Sequence, residues 1–147
     1  MEKKLTDTIL FYESEFYVFS NFSSFAVEWQ GKLWLTAEHA YQAAKFTDEK
    51  IRQEILEARS AHAAKEIAHA HESEKRSDWA SVKLAVMEDI LRAKLAQHPY
   101  VAKKLTQTGT KELIEDSPTD SFWGRGKDWK GENHLGKIWM KLRGDIL

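Results

Sequence analysis

The sequence predicts an α+β fold: a predominantly helical single domain spanning residues 1–147, with a small antiparallel N-terminal sheet. Short apolar and aromatic runs bounded by turn residues occupy the first 35 positions. From position 36 to about 108, apolar residues recur at helical spacing behind good capping residues. A length of 147 residues is that of one domain, enough to bury a sizeable core.

Three runs read as strands: Ile9-Leu10-Phe11-Tyr12, Tyr17-Val18-Phe19 and Phe25-Ala26-Val27-Glu28-Trp29. Gln30-Gly31 then turns the chain into Lys32-Leu33-Trp34-Leu35, a tight hairpin in which glycine supplies the positive-φ position. Glu13 and Glu15 bracket a solvent-facing turn, and residues 20–24 are a loop by composition.

Thr36 is a suitable N-cap for a first helix running to about Phe46. Thr47 or Asp48 opens a second, carrying Ile51, Ile55 and Leu56. Ser60 caps an alanine-rich third with Ala61, Ala64, Ile67 and Ala68 on one face. The fourth starts at Ser77 or Asp78, and Val82, Val86, Met87, Ile90, Leu91 and Leu95 mark its apolar stripe. Pro99 stands at the start of a fifth and Gly109 at its end. Residues 111–115 form a short strand, and a last helix from about Asn133 buries Leu135, Ile138, Trp139 and Leu142.

Composition excludes several classes of function. There is no cysteine, hence no disulfide framework, thiolate metal site or cysteine nucleophile. No apolar run reaches the ~18–20 residues of a membrane span, and residues 1–7 lack the apolar stretch of a signal peptide, so a cytoplasmic location without a membrane partner is expected. Twenty-two Lys+Arg against 23 Asp+Glu give a net charge of −1, which supplies no global field for wrapping duplex nucleic acid. The six histidines contain no H-E-x-x-H pattern, and neither a Walker loop, a G-x-G-x-x-G turn nor a G-x-S-x-G elbow is present.

Two places can hold chemistry. On the first helix Glu38, Gln42 and Lys45 fall at i, i+4 and i+7 and share a face. A solvated polar stripe has that spacing, and so does an acid and an amine lining one cleft, where a desolvated lysine serves as nucleophile or base. The second place is the aperiodic stretch 116–131, with Asp120 three residues before Trp123. There Gly124 and Gly126 alternate with Arg125 and Lys127, letting backbone N–H groups and two cations approach an anion. A flexible turn has the same composition. Loops of that length in a compact domain are usually functional.

Taken in order, Phe11-Tyr12, Phe19-Ser20-Asn21-Phe22, Glu38-His39-Ala40-Tyr41-Gln42-Ala43-Ala44-Lys45-Phe46, Asp78-Trp79, Ser117-Pro118-Thr119-Asp120-Ser121-Phe122-Trp123-Gly124 and Asn133-His134-Leu135-Gly136 resemble the YbiA-like, or NADAR, family over nearly the whole chain. The resemblance implies the YbiA-like fold and an N-glycosidase, without metal or cofactor. Its substrate would be a phosphorylated ribosyl or ADP-ribosyl compound joined to a guanine-derived base. One form is ADP-ribosyl-guanine in DNA or RNA; the other is an early phosphoribosyl intermediate of riboflavin biosynthesis. By similarity Lys45 is the nucleophile, forming a Schiff-base-type adduct at C1 of the opened sugar, with Glu38 and Asp120 sharing acid/base and charge-stabilising roles that are interchangeable at this stage. Trp79 and Trp123 would stack on the base, Arg125 and Lys127 with the Gly124 backbone would hold phosphate, and Asn21 and Asn133 would bond sugar or phosphate. The alternatives are a non-catalytic ADP-ribose or NAD-binding module and a plain helical interaction protein, which would bury Trp79 and Trp123 and leave Lys45 on open surface.

Overall fold

The structure, a computed structural model, describes residues 7–12 and 16–146. Glu13, Glu15 and residues 1–6, on which two of the expectations rest, lie outside the described residues. In chain order the elements are β1 (Thr8–Phe11), a 3₁₀ turn at Tyr17–Phe19, β2 (Val27–Trp29), β3 (Lys32–Trp34), α1 (Ala37–Ala44), α2 (Glu49–Leu56), α3 (Ala61–Ala70), a second 3₁₀ turn at Glu72–Glu74, α4 (Trp79–Gln97), α5 (Pro99–Gln107), β4 (Glu112–Glu115) and α6 (His134–Ile146). The α+β class expected from the sequence holds, with helices dominant and two small sheets. Among the described residues no helix is long and apolar enough to cross a membrane. The chain forms two compact units: residues 21–98, and the described residues of 1–20 with those of 99–147.

In the first unit β2 and β3 pair antiparallel, Val27 opposite Trp34 and Trp29 opposite Lys32. Gln30 (φ 50°) and Gly31 (φ 77°) both take positive φ, the backbone of the two-residue turn whose twist suits a hairpin. Alternation turns Val27, Trp29 and Trp34 inward and Leu33 outward. Both buried indoles find acceptors: Trp29 Nε1 donates to Asp89 Oδ2 on α4 at 2.7 Å, and Trp34 Nε1 to the Trp29 carbonyl at 3.0 Å.

The three expected caps form. Thr36 Oγ1 accepts from the His39 N–H at 3.2 Å, Asp48 Oδ1 from Lys50 at 2.8 Å, and Ser60 Oγ from Ala63 at 3.0 Å. Each such cap contributes about 1 kcal/mol. α1 is buried on every side, and its four alanines let α2, α3, α4 and the hairpin close around it. Its His39 is fully buried. Nε2 lies 3.0 Å from the Ala58 carbonyl and must donate there, so Nδ1 accepts the Thr36 hydroxyl at 2.8 Å. Burial lowers the His39 pKa despite that carbonyl, which keeps the ring neutral.

In the second unit β1 and β4 pair in parallel, Ile9 opposite Leu113 and Phe11 opposite Glu115. The first strand therefore does not extend the hairpin into the one antiparallel sheet expected. Its partner is set by the buried face that Ile9, Phe11 and Leu113 share, which local pattern does not disclose. The run 17–19, expected as a strand, is a 3₁₀ turn: the Ser20 N–H donates to the Tyr17 carbonyl at 2.8 Å. Val18, Phe19 and Ser20 are buried in succession, not alternately. Phe19 packs edge-on to Phe11 (5.8 Å) and against Trp139 (5.3 Å), whose Nε1 donates to the Phe19 carbonyl at 2.9 Å. The α6 face is the expected one, with Leu135, Ile138, Trp139 and Leu142 buried. α5 begins at Pro99 and is followed by Gly109 at φ 59°.

Candidate active site

The side chains of α1 come first. Glu38 and Gln42 are 6% and 4% exposed, so the solvated-stripe alternative does not hold; Lys45, the C-cap residue, is half-buried. Lys45 Nζ stands 5.5 Å from the centre of the Tyr41 ring, and Tyr41 packs on Trp79 at 5.2 Å. The Lys45 carbonyl accepts from the Arg76 N–H at 2.8 Å, and Arg76 clamps Asp78 with two bonds of 2.6 and 2.8 Å just ahead of Trp79. The segment that leads into α4 is thereby tied to the end of α1. Burial lowers the Lys45 pKa; attraction to Glu38 and Glu72 offsets part of this, while Lys75 and Lys65 add to it. A larger share of neutral amine at neutral pH is the result.

Trp79 is 5% exposed. Its ring is spent on Tyr41, so it stands as the wall behind the lysine's aromatic support, not as the open stacking platform expected for a base. Asn21 keeps spare hydrogen-bonding capacity. Its main-chain carbonyl accepts from the Glu38 N–H at 3.1 Å, and its Nδ2 donates to Met87 Sδ, a weak acceptor, at 3.2 Å. Its Oδ1 is buried without a partner among the described residues.

Sequence reasoning missed Lys94. Three and four residues after Leu91 and Ile90, it falls on the apolar stripe of α4, the one signal that was available. It is fully buried; Nζ donates to Ser23 Oγ at 2.9 Å and lies 5.4 Å from the Phe25 ring centre. Burial pushes its pKa down to about 7. Below that pH the folded chain carries a buried ammonium, whereas the unfolded chain keeps this proton up to the ordinary lysine value. Between the two pH values the unfolded state binds more protons, so this group makes stability rise as pH rises through the window. Lys94→Met is expected to flatten the rise in stability between pH 7 and 9. Melts of both proteins at the two ends of that range check this; a rise in the variant's midpoint as steep as in wild type refutes it.

The second place, between β4 and α6, is stapled and not a flexible turn. Arg125 N–H donates to the Glu115 carbonyl (3.1 Å), Gly126 to Ser117 (3.0 Å), Gly131 to Arg125 (2.7 Å) and Asn133 to Gly124 (3.1 Å). Gly124 donates to the Asp120 carbonyl at 3.2 Å. The N–H groups of residues 124–126 are thus spent inside the loop, which corrects their expected role around an anion. The absence of a side chain at Gly124 serves packing, since a Cβ there would lie 3.0 Å from the Glu115 carbonyl oxygen.

Asn133 is held in the same region. Its Oδ1 accepts from the Glu115 N–H at 3.0 Å and its Nδ2 donates to the Leu113 carbonyl at 2.9 Å, so the amide clamps β4. Arg125 gives Nε to Asp116 and Nη1 to the Gly126 carbonyl at 2.9 Å, and its guanidinium lies 4.0 Å from the Trp129 ring centre. These contacts fix the guanidinium against the loop, and Lys127 is exposed. Asp120 Oδ1 accepts from the Phe122 and Trp123 N–H groups at 3.0 and 2.8 Å, and Oδ2 takes no part in fixing that turn. Trp123 is half-buried, edge-on to Phe122 at 4.7 Å. Among the described residues no group of three or more His, Asp or Glu is placed to hold a metal ion.

The fold and the α1 side chains define an α+β protein with a partly desolvated lysine on the same helix as a buried carboxylate. The chain belongs to the NADAR domain family, which matches residues 10–147. It is 39% identical over 142 residues to the N-glycosidase YbiA of Escherichia coli, covering 95% of this chain and 89% of that one. It is 38% identical over 144 residues to the N-glycosidase Npun_R5314 of Nostoc punctiforme, covering 95% and 92%. A riboflavin biosynthesis protein of Vibrio vulnificus, VVA0006, shares 37% identity over 127 residues, 86% of this chain but 35% of its own length. The NMR structure of E. coli YbiA superimposes with a TM-score of 0.86 at 38% identity, covering 95% of this chain and 85% of that one.

Proposed function

We propose that this chain is an N-glycosidase, a hydrolase that cleaves the C–N bond between a ribose and its base through a covalent adduct on Lys45. The observation that carries the lysine step is the desolvated amine on one buried helix face with Glu38; relatives that match nearly end to end carry the N-glycosidase name. The neutral Nζ attacks C1 of the sugar as the C1–N bond breaks, the bonding pair leaves with the base, and a carboxylic acid protonates that base. Loss of the amine proton and ring opening give an imine. Water then adds to C1 and expels the lysine. Cleavage builds oxocarbenium character at C1, which a carboxylate stabilises.

Glu38 and Asp120 are the two carboxylates proposed. Asn21, with its under-used amide, is the proposed sugar or phosphate contact, Trp123 the base contact and Lys127 a phosphate contact. The substrate is a phosphorylated ribosyl compound of a guanine-derived base. The name of the Vibrio relative supports an early phosphoribosyl intermediate of riboflavin biosynthesis; the exposed Lys127 supports ADP-ribosyl-guanine in nucleic acid. Incubation with each, followed by assay of free base, tests the reading: release from neither, with binding to ADP-ribose or NAD retained, would return the chain to a non-catalytic binding module.

Asp120 separates chemistry from architecture. Asp120→Asn keeps an oxygen for the Phe122 and Trp123 N–H groups but cannot exchange a proton. It is expected to slow base release about 10²-fold or more with little change in the melt, while Asp120→Ala loses rate and turn together. A rate for the Asn variant within a few-fold of wild type would assign Asp120 to structure alone.

A further inference from the structure

We infer that Gln42 is a positioning residue for Glu38, kept at a cost in stability. The inference rests on the reading of Glu38 as a working carboxylate. Gln42 is one helical turn beyond Glu38, and its Nε2 lies 3.5 Å from Glu38 Oε2, a contact at the long edge of hydrogen bonding. With Glu38 in its ionised form the carboxylate only accepts, which orients the amide with nitrogen toward Glu38. The other end, Oε1, is buried and has no hydrogen-bond partner among the described residues. Flipping the amide would set two acceptors against each other, so neither orientation satisfies both ends.

A buried acceptor left unmet costs about 1–3 kcal/mol, and an apolar side chain of the same shape would avoid that cost. Asn21, whose carbonyl holds the Glu38 N–H, repeats the pattern with its own buried, unpartnered Oδ1. The under-satisfied Gln42 amide on the Glu38 carboxylate, and that of Asn21, which meets Glu38 only through the main chain, conflict with packing at its best. Such conflicts gather where function sets the residue. The Gln42 contact limits how the Glu38 carboxylate can turn, on the same helix face as Lys45. This makes Gln42 part of the support of the reacting groups without touching substrate itself.

Gln42→Met matches the length of the side chain and removes both polar ends. Its thermal midpoint is expected to equal or exceed that of the wild type, while kcat for base release falls about tenfold or more, a part of what a general acid/base contributes. In a Glu38→Gln background the same change is expected to cost nothing further, because the two residues act as one unit. A midpoint that drops along with the rate would make Gln42 a packing residue and overturn the inference. So would a Gln42→Met kcat within about twofold of wild type while Glu38→Gln is slow, and that outcome would leave the proposed function standing. If Glu38→Gln itself runs at the wild-type rate, the reading of Glu38 fails, and the role of Gln42 fails with it.

Discussion

Replacing Lys45 with alanine is expected to lower base release by about 10⁴-fold or more on whichever ribosyl substrate the protein turns over, the scale of loss seen when a nucleophile is removed. The half-buried amine is drawn toward its neutral form by desolvation more than the nearby Glu38 and Glu72 hold it charged. Its lowered pKa also places the optimum at lower pH than an ordinary lysine would. A neutral amine and a protonated carboxylic acid are both required, so the rate should trace a bell in pH and fall once the acid is lost. Lys45→Arg keeps the positive charge but has no free amine at any working pH, so it is expected to be as inactive as the alanine variant. Recovery in the arginine protein would mean that charge, not nucleophilicity, is what this position supplies. Borohydride reduction during turnover should leave a sugar-sized mass increment on the peptide carrying Lys45. Wild-type turnover in Lys45→Ala, or reduction without any increment, removes the amine from the reaction.

Gly136→Ala is expected to be the most damaging single methyl group in the chain. A Cβ at that position would lie 2.1 Å from the Leu113 carbonyl oxygen and 2.5 Å from Asn133 Nδ2. The first is β4 backbone and the second is the amide that clamps it, so neither neighbour is the free end of a flexible side chain. α6 rests on β4 through this gap. Overpacking of this kind costs about 3 kcal/mol or more, which lowers the midpoint of a domain this size by roughly 10 °C. Gly144→Ala is the matched control on the same helix. Nothing lies within 4 Å of its added Cβ, and the change should be neutral or stabilising by up to about 1 kcal/mol. Thermal melts of the two proteins side by side settle the matter; a Gly136→Ala midpoint within about 2 °C of wild type would show that β4 and α6 yield more easily than their contact distances allow.

The helices were legible because their signals are local. Thr36, Asp48, Ser60 and Pro99 each stand at the helix start that their chemistry favours, and the hairpin turn is written in Gln30 and Gly31. What escaped depends on partners distant in sequence. The strand at residues 8–11 has the same pattern whether it joins a hairpin or pairs with β4 more than a hundred positions later. The run 17–19 reads as a strand by composition, yet its three residues sit in a turn where successive side chains, not alternate ones, are covered. The site divides along the same line. Glu38, Gln42 and Lys45 were visible as a stripe, but spacing cannot say that the stripe is buried. Gly124 and Asn133 were expected around a ligand, while the groups that engage them, the Asp120, Glu115 and Leu113 backbones, are visible only in three dimensions.

The complete enclosure of α1 bears on how this protein can change. A helix with no outward side has no positions to vary at leisure, and Ala37, Ala40, Ala43 and Ala44 leave no slack for larger neighbours. With the proposed working groups placed there, reaction and scaffold share one object, so a substitution that retunes this helix also edits the interior. Adaptation to a new substrate has freer ground at surface positions such as Lys127, where a side chain can be exchanged without repacking anything.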